Sequence, residues 1–138
     1  MNIEYSFVPL SKLDHYLSRP EIDSENILTT GLELYEKSIR NHPYRDNNNP
    51  VVCLAIVDGR IAGRFMLFHT KLKVGDHNIP VQTGGGLLVA ERYRGLGIGQ
   101  KLSQTVRNNS FYLGALFTRA AYNIVRKTEV MLEIPQYV

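Results

Sequence analysis

The sequence predicts an α/β domain of the α+β kind, with a strand meander in the middle of its sheet and helices around it. Three observations lead there. Apolar residues recur at helical spacing up to about residue 40 and then run continuously over residues 51–57, so the hydrophobic period switches to that of a buried strand. Asp58-Gly59 stands between two apolar runs, a hairpin signal because both residue types tolerate positive φ. Past residue 95, a glycine-rich turn opens a segment of helical pattern. At 138 residues, with 43% hydrophobic and 21% charged, the chain can close one core, and residues 1–138 read as a single domain.

Each element has its own signal. Residues 3–8 alternate as a strand, and Pro9 ends it. Ser11 is placed to cap a short helix carrying Leu13, Tyr16 and Leu17, which Arg19-Pro20 breaks. Ile27, Leu28, Leu32, Leu34, Tyr35 and Ile39 predict a second helix over residues 24–40. NHPYRDNNNP, residues 41–50, is a polar loop. Residues 51–57 and 61–68 are paired strands about the Asp58-Gly59 turn, and residues 79–89 are a third strand after a turn at 74–78. Gly84, Gly85 and Gly86 interrupt that strand, which predicts a bulge or a close approach by a ligand or another backbone. Residues 96–107 read as a helix with Ile98, Leu102 and Val106 on one face. Residues 111–117 follow as a strand, 119–127 as a helix capped by Thr118, and 130–134 as a last short strand.

Composition narrows the function class. A formal net charge of +3 and a pI near 9.1 suit an anionic ligand, but the basic residues are scattered rather than gathered in a nucleic-acid patch. Cys53, the single cysteine, lies in an apolar run and reads as a reduced core thiol. No apolar stretch approaches the roughly 18 residues of a membrane span, and the N-terminal residues lack the pattern of a signal peptide. The expectation is a cytoplasmic protein without nucleic-acid or membrane partners. The histidines have no metal-ligand spacing, so no metal is expected.

The segment VAERYRGLGIGQKL carries the chemistry. Gly95, Gly97 and Gly99 sit where a helix begins, although glycine is a poor helix former. A helix N-terminus offers unpartnered N–H groups and a favourable dipole to anions, and glycine lets phosphate oxygens reach them. Tight packing of the helix start is the alternative reason for the glycines. The segment is neither a Walker A loop nor a dinucleotide fingerprint, because Gln100 stands where either motif requires glycine. It matches Arg/Gln-x-x-Gly-x-Gly as Arg94-Gly95-Leu96-Gly97-Ile98-Gly99.

Strand, Tyr-Arg loop, glycines and helix in this order resemble the GNAT superfamily of N-acetyltransferases, most specifically over residues 86–102. The resemblance implies a mixed, mostly antiparallel central sheet flanked by helices, with a splayed fourth strand. It implies acetyl-CoA or another acyl-CoA as co-substrate. The pyrophosphate is then expected on Gly95, Leu96, Gly97, Ile98, Gly99 and Gln100, with Arg94 opening the motif. The pantetheine arm is expected to pair with Leu87, Leu88 and Val89, and the Val89 N–H to meet the thioester carbonyl. Thr118, which matches an asparagine position of the family, joins the expected cofactor residues.

Acyl transfer to an amine also needs a base and benefits from an acid at the leaving thiolate. The family's usual tyrosine acid is replaced here by Val125, and its Gly-Phe by Glu129-Val130; Tyr122, one helical turn earlier, is the candidate acid or else a packing residue. Candidate bases are Glu91, Gln82 through a water, His42 and His69. Arg92 and Tyr93 read as loop residues, with Arg92 able to approach CoA phosphate. The expected acceptor is a small-molecule or protein amine. Two rival readings are a non-catalytic CoA-binding or regulatory module and an acyltransferase served by an acyl-carrier protein. Only eleven residues follow Lys127, a shortened C-terminus relative to the family. A second copy of the chain or a further domain is therefore expected to cover the sheet edge there.

Overall fold

The computed structural model describes residues 1–43, 45–109 and 112–113. Its elements are β1 (Ile3–Pro9), α1 (Leu10–Leu17), α2 (Leu32–Arg40), β2 (Pro50–Val57), β3 (Arg60–Val74), β4 (His77–Val89), a 3-10 turn (Glu91–Tyr93), α3 (Ile98–Asn109) and β5 (Tyr112–Leu113). The sheet order is β1-β2-β3-β4-β5. The first four strands form an antiparallel meander, and β5 lies parallel to β4. Asp58 and Gly59 both take positive φ, which joins β2 tightly to β3.

Helices cover both faces of the sheet. Ile98, Leu102 and Val106 of α3 are buried, and Ile98 and Leu102 pack over Gly63 of β3 so closely that a Cβ there would lie 3.1 Å from the Leu102 side chain. Burying each such side chain stabilises the fold by roughly 1.5–3 kcal/mol. The neighbouring β3 residue, Arg64, points to the opposite face, where the segment between α1 and α2 lies. The α1 N-terminus is not capped by Ser11 as the sequence suggests. Leu10 and Ser11 instead donate their N–H groups to the Asn49 and Asn47 carbonyls of the polar loop.

The expected helix over residues 24–40 is confined to Leu32–Arg40. Side-chain competition for the backbone explains the difference. The buried Asp23 carboxylate accepts the N–H groups of Ile27, Leu28 and Thr29, and the Arg64 guanidinium takes the carbonyls of Leu28 and Thr30. With these groups engaged, residues 23–31 turn rather than coil into a helix, and Gly31 at φ +66 starts α2. Likewise α3 begins at Ile98, not residue 96, because Gly97 at φ +76 is outside the helical region. β3 reaches Val74, beyond the expected end at residue 68.

The glycines of β4 have two separate causes. A Cβ on Gly84 would stand 2.0 Å from the Phe65 ring, so that glycine makes room for a buried aromatic. Gly86, at φ +60, sits in a bulge: Arg64 pairs with Leu88 and Met66 with Gly85, leaving two β4 residues opposite Phe65 alone. The described β5 residues pair only with Gln82 and Thr83, before the bulge. The expected helix over residues 119–127, the strand over 130–134, Thr118, Tyr122 and the C-terminal sheet edge lie outside the described residues.

Candidate functional site

Strand, turn and helix converge where β4 ends. Ala90 donates its N–H to the Ala62 carbonyl, closing the ladder to β3. Adjacent residues of a strand point their N–H groups to opposite sides, so the Val89 N–H faces away from β3. The Val89 carbonyl accepts the Arg94 Nε–H at 3.2 Å, which fastens the following loop to the strand end. Leu88 is paired with Arg64, and Leu87 belongs to the bulge.

The loop itself is a cradle. Gly95 and Gly97 have φ of +83° and +76°, and a Cβ on either would meet no protein atom within 4 Å. Packing therefore does not account for these two glycines, whereas their backbone conformation and open space do suit a ligand at the main chain. The first helical bond runs from the Lys101 N–H to the Gly97 carbonyl. The N–H groups of Ile98, Gly99 and Gln100 therefore precede the helix ladder and gather at the positive end of the α3 dipole. Ile98 and Gly99 are buried, and Leu96 is exposed at the loop tip.

The 3-10 turn holds the approach. Tyr93 is buried, with Arg92 stacked on its ring at 5.0 Å, and the Arg92 guanidinium lies 3.6 Å from the Glu25 carboxylate. Arg92 thus braces the turn to the segment between α1 and α2. Glu91 is exposed at the start of the turn.

The other candidate bases are brought together elsewhere. His42 and His69 both line a cleft between the end of α2, the following loop and β3, with Ser38, Asp46 and Phe68. His69 Nε2 lies 2.8 Å from the Pro50 carbonyl. A carbonyl only accepts, so this nitrogen carries a proton. Gln82, the cross-strand partner of His69, is buried with its amide 3.2 Å from the same Nε2.

Three residues that pattern reading did not select shape this region. Arg64, 4% exposed, donates to the carbonyls of Leu28 at 3.0 Å, Thr30 at 2.6 Å and Gly86 at 3.2 Å. Burial draws its pKa below the ordinary arginine value, opposed by Tyr35 and Asp23. Asp23 holds the same segment from the N–H side. Tyr35 of α2 packs on Phe68 with ring centroids 5.6 Å apart and reaches the β4 bulge. A lone arginine in the apolar run of residues 61–68 was the one visible signal.

Cys53 is fully buried in β2, and burial pushes its thiol pKa up to about 12, as a core thiol requires. Among the described residues, no group of three or more His, Cys, Asp or Glu is placed to hold a metal ion. No described helix is long and apolar enough to cross a membrane.

The meander, its bulged fourth strand, the glycine turn and the helix behind it define the GNAT fold, and this chain has it. No protein-family model and no curated protein sequence matches the chain. Solved structures align with it along nearly its whole length. Ribosomal-protein-alanine N-acetyltransferase from Brucella melitensis biovar Abortus 2308 covers 100% of this chain and 98% of its own, with a TM-score of 0.62 and 14% identity. An aminoglycoside acetyltransferase from an uncultured soil metagenomic sample, in complex with sisomicin, covers 99% and 94%, with a TM-score of 0.58 and 14% identity. A GNAT family acetyltransferase of Staphylococcus aureus subsp. aureus covers 100% and 98%, with a TM-score of 0.57 and 14% identity. At such identities the likeness is one of fold.

Proposed function

We propose that this chain is an acyl-CoA-dependent N-acyltransferase that moves an acetyl group from acetyl-CoA to a primary amine of a small molecule or protein. The observation that carries the reading is the juxtaposition of the outward Val89 N–H with an open glycine cradle at the N-terminus of α3. The residues present fit the co-substrate, because Gly95 and Gly97 leave empty the space that side chains would fill. A lone buried thiol accords with a cytoplasmic site of action.

When bound, acetyl-CoA supplies an acyl group already activated as a thioester. The chain's own groups do the rest. The Ile98, Gly99 and Gln100 N–H groups hold phosphate charge, and Arg94 adds a positive charge beside the loop. The backbone of Leu87, Leu88 and Val89 aligns the pantetheine arm, and the Val89 N–H stabilises charge growing on the acyl oxygen. The acceptor amine must reach the acyl carbon beside the Val89 N–H, and its base must lie there too; His69, paired with Gln82 six β3 residues from the partner of Val89, is about 20 Å along the strand from that point, too far to serve. Direct attack needs no nucleophilic thiol, consistent with the inert Cys53.

Acetyl-CoA at 100 times its Kd should raise the unfolding free energy by about 2.7 kcal/mol. Thermal melting reads this gain, and an unchanged Tm at millimolar acetyl-CoA would contradict the reading. Val125 in place of the family's tyrosine favours a second reading, a CoA-binding module without turnover. Free-thiol release from acetyl-CoA in the presence of primary amines separates the two.

A further inference from the structure

We infer that Arg64 of β3 is a positioning residue for the acyl-CoA arm: by holding the Gly86 carbonyl it fixes the β4 bulge and presents the main chain of Leu87 to Val89. The inference rests on the acyl-CoA reading of the cradle.

Arg64 meets β4 twice. Its main chain pairs with Leu88, and its side chain reaches the bulge, where Nε–H donates to the Gly86 carbonyl at 3.2 Å. Leu87 lies between these two attachments. A bulge leaves its extra residue out of the ladder. Main-chain groups there can meet a ligand in a fixed place only while the bulge keeps its shape. Gly86, at φ +60, has no side chain of its own to hold that shape.

The same guanidinium ties the bulge to the segment between α1 and α2. Its Nη1 donates to the Leu28 carbonyl at 3.0 Å and the Thr30 carbonyl at 2.6 Å. That segment also reaches the other end of the expected arm, because Glu25 lies 3.6 Å from Arg92 in the turn before the cradle. The Glu25–Arg92 pair is partly exposed and weak by itself. Together the two ties place strand and cradle against one segment, so the spacing that an arm must match is set from there.

The cost of the arginine points the same way. Arg64 is 4% exposed, and among the described residues no carboxylate stands within ion-pairing distance of it. Burying a cation on neutral carbonyls is expensive. An apolar side chain would fill this position in the run of residues 61–68 at lower cost. The charge answers to the three carbonyls it joins, one of them in the bulge.

Arg64→Lys separates the bulge contact from the rest. Lysine carries a methylene where arginine carries Nε, and its ammonium falls near the position of the guanidinium carbon. The Gly86 bond is lost while a cation remains for Leu28 and Thr30. Calorimetry on the full chain compares acetyl-CoA with adenosine 3′-phosphate 5′-diphosphate, the nucleotide part of CoA without the arm. In Arg64→Lys the nucleotide should bind within about threefold of wild type, and acetyl-CoA about tenfold more weakly or worse. Asp23→Asn loosens the same segment without touching Gly86, and should keep the ratio of the two affinities within about threefold. In wild type with isotope-labelled arginine, the Arg64 Nε–H resonance should move on adding acetyl-CoA and stay in place with the nucleotide, a measurement that needs no variant. Unchanged acetyl-CoA affinity in Arg64→Lys, an equal loss for both probes, the same change of ratio in Asp23→Asn, or an Arg64 resonance indifferent to acetyl-CoA each overturns the role of Arg64 alone. Failure of wild type to bind acetyl-CoA at all overturns the acyl-CoA reading and this inference together.

Discussion

Gly97→Val should weaken acetyl-CoA binding by about 100-fold or more, the equivalent of losing one or two charge-assisted hydrogen bonds to phosphate. Two effects combine. The isopropyl group would occupy open space at the mouth of α3, where no protein atom lies within 4 Å of the added Cβ. The backbone at φ +76 also resists a β-branched residue, at a cost of about 1–3 kcal/mol. Gly75→Val separates these causes. Gly75 has φ +60 and equally open surroundings, but it lies in the exposed turn between β3 and β4. It should lose comparable stability and keep its affinity within about threefold by calorimetry. Equal loss of affinity in both variants would show that the cradle is not where the ligand sits.

Arg64→Ala should lower the unfolding free energy by about 3–4 kcal/mol, measured by urea denaturation at neutral pH. The guanidinium joins three carbonyls from two parts of the chain, and its removal leaves Leu28, Thr30 and Gly86 without that partner. It also strips the buried Asp23 of a nearby positive charge. Arg64→Lys should recover only part of the loss, since one ammonium lacks the planar fork that reaches the three acceptors. A cost below about 1 kcal/mol for the alanine variant would mean that water replaces the guanidinium without penalty.

Local signals were legible in the sequence because they act locally. Asp58-Gly59 made its turn, and Ile98, Leu102 and Val106 buried the stripe their spacing describes. Gly95 and Gly97 took the positive φ that a glycine-rich helix start invites. What periodicity missed depends on partners distant in sequence. The apolar spacing from Ile27 to Leu34 imitates a helix, but Asp23 and Arg64 take the backbone groups that a helix would use. Gly84 and Gly86 looked alike in one run of three, yet one answers to the Phe65 ring and the other to a bulge and Tyr35. Tyr35 itself sat on a helical stripe, where a tyrosine reads as core. The pairing of His69 with Gln82 follows from strand register, which no short motif encodes. Tyr122 and Thr118 lie outside the described residues, and their roles stay with the sequence expectation.

The central claim is that β4 and the start of α3 form an acyl-CoA site. A crystal structure of the chain with acetyl-CoA tests it most directly. The account predicts pyrophosphate oxygens within hydrogen-bonding distance, about 2.7–3.2 Å, of the Ile98, Gly99 and Gln100 N–H groups. It also predicts the pantetheine arm against Leu87 to Val89, with the acyl oxygen at the Val89 N–H. Acetyl-CoA bound elsewhere on the molecule, with the glycine cradle holding only solvent, would contradict it.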